Sequence, residues 1–93
     1  MNSMSRADMV ECFEVAKRTK ANYVGVLIAM EGFETPEVII NTKHNLDKKF
    51  EYYMNTYDEN LEHKHAKGIK IIGCAWGDSF SEIGEDLFMN EFL

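Results

Sequence analysis

"NYVGVLIAM", residues 22–30, decides how this chain folds. Tyr23, Gly25, Leu27 and Ala29 alternate with Val24, Val26, Ile28 and Met30. A strand with that pattern is apolar on both faces and belongs in the middle of a covered sheet. Beyond it, "EGFETP" supplies turn residues, Gly32 and Pro36. "EVIINT" (37–42) then reads as a shorter strand returning as its hairpin partner.

Upstream, Ser5-Arg6-Ala7-Asp8 has the form of a helix start: a serine cap and an acid three residues on that reaches back to the cap. Met9, Phe13 and Ala16, with Cys12 beside them, make one apolar stripe. Asp8, Glu11 and Glu14 come early and Lys17, Arg18 and Lys20 late, which suits the helix dipole. A helix is predicted over 5–20. Downstream, Asn45 is the expected cap of a second helix from Leu46. Leu46, Phe50, Tyr53, Tyr57 and Leu61 carry the helical period, and Gly68 is expected to close the segment. "IKIIGCAW" (69–76) is the third strand. A last helix is predicted over 79–92, opened by Ser79-x-x-Glu82 and weakened by Gly84.

The predicted order is α-β-β-α-β-α. A right-handed helical crossover sets strands two and three parallel, with strand one between them and antiparallel to both. The fold expected is therefore a single α+β domain over 1–93, with a three-stranded sheet of order 2-1-3. Helices one and two cover one face. The last helix should cover the other face incompletely, leaving an apolar remainder for a homodimer or another partner.

Composition narrows the functions. Ninety-three residues, 45% hydrophobic and 12% aromatic, describe one folded globule. No apolar run is long enough to span a bilayer, and the N-terminus lacks a signal-peptide core, so a cytoplasmic protein is expected. A net charge of −6 disfavours direct nucleic-acid or membrane binding and favours a basic protein partner. Two cysteines, Cys12 and Cys74, exclude a four-thiol zinc site and are read as reduced core residues.

Gly77-Asp78-Ser79-Phe80 resembles the opening block of one esterase family, differing at its fourth residue. That family needs a later Asp-x-x-His, and no histidine follows His65 here. A serine nucleophile needs a base within hydrogen-bond reach, so a turn with Ser79 as helix cap is the favoured reading. The alternative is a small hydrolase or ligand-binding enzyme centred on Asp78 and Ser79. His63 and His65 are read as solvent-facing at a helix end, and no metal or other cofactor is expected. Phe50, Tyr53 and Tyr57 are assigned to the core, with Tyr52 off the stripe. Lys43, His44, Lys48 and Lys49, at the start of the second helix, form a candidate anion site. With Lys17, Arg18 and Lys20 they underlie a further alternative, a nucleic-acid module.

From Gly77 to the C-terminus there are acids and no Lys or Arg. Asp78, Glu82, Glu85, Asp86 and Glu91, interleaved with Phe80, Phe88 and Phe92, read as an acidic-aromatic ridge for docking onto a basic protein surface. The stretches "YVGVLIAMEGFETPEVIINTKHNLDKKFEYYMNTYDENL" and "GIKIIGCAWGDSF" resemble small proteins carried by phages and prophages of Gram-positive bacteria, over about residues 22–83. No catalytic motif comes with that resemblance. It implies an accessory role, including inhibition of a host defence nuclease. The expected function is thus non-enzymatic protein binding.

Overall fold

The computed structural model describes residues 4–89. The elements are α1 (Arg6–Thr19), β1 (Tyr23–Met30), β2 (Glu37–Thr42), a 3₁₀ turn (Lys43–Asn45), α2 (Leu46–Thr56), β3 (Ile69–Gly77), α3 (Phe80–Gly84) and a π-helical turn (Glu85–Met89). The sheet order is β2-β1-β3, antiparallel at both junctions, so the α+β fold and the 2-1-3 order are as predicted.

α1 begins with a complete capping box. The Asp8 N–H donates to Ser5 Oγ at 3.1 Å, and the Ser5 N–H donates to the Asp8 carboxylate at 3.1 Å. Met9, Phe13 and Ala16 are buried against Val24, Val26, Ile28 and Ile71, as are Leu46 and Tyr53 of α2. Tyr53 packs edge-on to Phe13 and donates its hydroxyl to Asn41 Oδ1 at 3.4 Å. Burial pushes the Tyr53 phenol up to about 12, against a partial offset from that bond. Asn41, buried on β2, donates in turn to the carbonyls of Val24 and Ile39. A polar side chain in this core is therefore fully used.

The second helix is shorter than predicted. It ends at Thr56, and Tyr57 is extended (φ −110°, ψ 145°). Asp58 accepts from the N–H groups of Asn60 and Glu62, a local turn that competes with helix. Leu61 then adopts a left-handed φ of 61°. Tyr57 and Leu61 are buried in the helix-side core all the same, from outside the helix. Asn45 stands at the cap position but makes no capping bond. Arg6 closes the other end, donating to the carbonyls of Met54, Tyr57 and Asp58 at 2.7, 2.7 and 3.1 Å. Residues 61–63 then run beside the start of β3, through Ile71 N–H to Leu61 O and His63 N–H to Ile69 O.

The opposite face holds a second, smaller core of Leu27, Ala75, Ile83 and Leu87. It depends on two glycines. A methyl at Gly25 would collide with Ile83 Cγ2, and one at Gly73 would stand 3.1 Å from Leu87 Cδ2. These positions are the trough in which the C-terminal segment lies. β3 carries a bulge: Leu27 pairs with Gly73 but Ile28 with Ile71, leaving Ile72 over. Ile71 and Cys74, three residues apart, therefore both reach the helix-covered face.

Candidate functional site

The C-terminal carboxylates divide into two groups. Asp78 accepts from the Asn22 N–H at 3.1 Å, and its own N–H donates to Glu82 Oε2 at 3.0 Å. Ser79 Oγ accepts from the Glu82 N–H at 3.2 Å. Glu82 thus reaches past the serine to the residue before it, so the predicted capping box is only half formed. These acids fasten the turn between β3 and α3. Glu85 and Asp86 lie exposed on the turn that follows. Phe88 is half-buried against the smaller core and Phe80 is 63% exposed, its ring 4.9 Å from that of Tyr23. Glu91 and Phe92 of the expected ridge lie outside the described residues. The last helix predicted over 79–92 is α3 followed by the π-helical turn as far as residue 89.

Asp86 belongs to a different grouping from the predicted one. With Asp8 and Glu11 of α1, and with Cys12, Val15, Cys74, Ala75 and Trp76, it lines a cleft of about 380 Å³. The cleft follows the outer edge of β3, between α1 on one face and the C-terminal turn on the other. Trp76, the only tryptophan, is 39% exposed there. Residues 61–63 cover this edge only as far as Ile71, and β3 is a terminal strand of the sheet. Among the described residues, no further strand pairs with the edge beyond Ile71. An aromatic side chain, carboxylates and a free strand edge together can take an extended chain carrying cationic side chains. In the sequence, Asp8 is legible as a capping-box acid and both Asp8 and Glu11 as dipole-favoured helix acids, not as cleft residues. Nothing local linked them to Trp76, sixty-odd residues away.

The candidate anion residues are split as well. Lys43 and His44 line a hollow of about 350 Å³ with Lys17 and Lys20 from the end of α1. Lys48 and Lys49 lie on exposed α2 surface outside it, with Lys49 Nζ 5.7 Å from the Tyr52 ring centroid. Lys17 also pairs with Asp47 at 2.6 Å.

Ser79 Oγ serves as a helix cap and makes no hydrogen bond to an imidazole. His63 pairs beside Ile69, at one end of β3, whereas Ser79 follows the other end, about 25 Å away along the strand at the usual rise. The histidines do not end a helix, contrary to expectation, because α2 stops at Thr56. His63 is half-buried, with its Nδ1 accepting from the His65 N–H at 3.0 Å. Among the described residues, no group of three His, Cys, Asp or Glu side chains is placed to hold a metal ion. No described helix is long and apolar enough to cross a membrane. Comparison with family models, curated proteins and solved structures finds no match for this chain.

Proposed function

We propose that this protein acts by binding another protein, without catalysis, through the cleft along the outer edge of β3. The observation that carries the proposal is the convergence of Asp8, Glu11, Asp86 and Trp76 on a strand edge left open beyond Ile71. The partner presents an extended basic segment. Its backbone continues the sheet, while its Lys or Arg side chains meet the carboxylates and the indole face. Exposed carboxylates contribute mainly to encounter rate and selectivity, so salt weakens the complex. A nucleic-acid-handling protein, such as a host defence nuclease, offers surfaces of this charge because it must hold phosphates. Self-association at the half-buried Val38, Ile40 and Ile72 is part of the same reading.

Because Trp76 is the only tryptophan, its fluorescence reports on the cleft directly. Titration with Lys/Arg-rich peptides of extended, alternating sequence is expected to shift its emission and to perturb the amides of residues 72–77. Asp8→Lys with Glu11→Lys should weaken binding by about tenfold or more. A response spread over all acidic surfaces, with the β3 amides unmoved, rejects the reading. Sedimentation at high concentration tests the self-association, and a strict monomer rejects that part.

A further inference from the structure

Two thiols from distant parts of the chain meet in the floor of the same cleft. The packing of Met9, Phe13 and Ala16 onto the sheet lays α1 across β3 and turns Cys12 toward that strand. The bulge at Ile72 turns Cys74 to the same face, opposite Val26. Without that extra residue, Ile71 and Cys74 would point to opposite sides of the sheet. As it is, the Cys74 thiol donates to Cys12 Sγ at 2.9 Å across 62 positions of sequence. Both cysteines are free and half-buried, and both line the cleft. A disulfide bond is about 2.05 Å long. The sulfurs therefore lie within about 1 Å of bonding distance, less than a side-chain adjustment across one helix–strand contact.

We propose that Cys12 and Cys74 are an oxidative modification site, a dithiol that a peroxide converts to an intramolecular disulfide joining α1 to β3. Cys12 reacts first, because Cys74 is the donor of the pair and its proton is held toward Cys12 Sγ. The same bond, with burial behind it, holds the Cys74 thiol well above its usual range and keeps its proton in place. In the first step, Cys12 sulfur bonds to one peroxide oxygen and the O–O bond breaks. Water leaves with the Cys12 proton, and Cys12 is a sulfenic acid. In the second step, Cys74 sulfur bonds to Cys12 sulfur and the S–O bond breaks. The hydroxyl leaves as water with the Cys74 proton. Two thiols and one peroxide give one disulfide and two waters. The carboxylates of Asp8, Glu11 and Asp86 around the cleft repel anionic oxidants. Uncharged peroxide is therefore the class of oxidant that fits, and sustained exposure suits the site better than fast turnover.

The test is hydrogen peroxide on the native full-length chain, followed by intact mass, thiol titration and peptide mapping. The expected result is loss of two hydrogen atoms, disappearance of both thiols together, and a peptide linking Cys12 to Cys74 that dithiothreitol releases. Closure should run about tenfold or more faster in buffer than in urea, where the pair is separated by a long flexible loop. Cys74→Ser should stop the reaction at a Cys12 sulfenic acid trapped by dimedone. Oxygen addition at Cys12 with Cys74 still free in the unmodified protein overturns the proposal. So does a disulfide formed chiefly between two chains, or thiols that survive peroxide in buffer and react only in urea.

Discussion

The two faces of the sheet are built by different means. On one, α1 and α2 bring large side chains, among them Met9, Phe13, Leu46 and Tyr53, onto β1 and β3, and the core extends through Tyr57 and Leu61 beyond the end of α2. On the other, α3 and the turn after it bring Ile83 and Leu87 into space left by Gly25 and Gly73. The first face gains its stability from what is present, the second from what is missing. A face filled by long helices withstands small changes at its rim. A face seated on glycine does not, because one methyl group in the sheet is enough to lift the segment. The difference bears on the cleft, which takes Asp8 and Glu11 from the robust side and Asp86 from the fragile one.

The largest expected effect is on the helix side. Phe13 is 2% exposed and packs against Phe50 and Tyr53. Phe13→Ala should cost about 3–5 kcal/mol in urea denaturation, lost in a single global transition. Ile83 is fully buried on the other side. Ile83→Ala should cost about 2–4 kcal/mol, with a different signature. Amide exchange over 80–88 should accelerate well before the helix side opens, because so little else holds that segment. Equal acceleration across both faces would erase the distinction.

Gly25→Ala comes next and isolates the cause. Its new methyl group meets Ile83 Cγ2 and nothing on the helix side. Overpacking of this kind costs about 1–3 kcal/mol. The change should displace α3, shift the Trp76 emission through the altered cleft, and leave the near-ultraviolet signal of the Phe13–Tyr53 cluster intact. Pairing it with Ile83→Val should recover part of the loss, since the shorter side chain makes room. Failure to recover any would mean that the glycine is needed for some reason other than that contact.

These differences explain what could be read in advance. Recurrence of Met9, Phe13 and Ala16 announces α1, and the doubly apolar 22–30 segment announces a central strand. From those two readings the sheet order follows. The period from Leu46 to Leu61 overstates α2, because apolar spacing reports burial, and Tyr57 and Leu61 are buried without being helical. The bulge has no compositional mark, so the alignment of Ile71 with Cys74 was illegible, and the meeting of Cys74 with Cys12 with it. The interior cost of Gly84 was the glycine effect visible in the sequence. In the structure, however, a side chain at Gly84 would meet open space, whereas Gly25 and Gly73 have neighbours at once. Of the cleft, only Asp86 carried a signal as a binding residue. The rest is assembled by long-range packing from both ends of the chain.

The smallest effect expected separates the two helix starts. Ser5 and Asp8 bond reciprocally, whereas Ser79 receives one N–H while the Glu82 carboxylate serves Asp78 instead. Each serine-to-alanine change should cost about 1 kcal/mol. Acid distinguishes them further. The Asp8 carboxyl is held below its usual value, first by the Ser5 backbone N–H and then by the Ser5 hydroxyl. A carboxyl lowered in the folded state adds stability that is present above its ordinary value near 3.8 and is lost as pH falls through the lowered one. Urea midpoints measured from neutral pH down to about pH 3 should therefore lose a contribution in Asp8-containing protein that Asp8→Asn has already given up, so the two curves converge in acid. Curves that stay parallel would show that the bond from Asp8 to the cap adds nothing to α1. The full capping box would then have no advantage over the half box at α3.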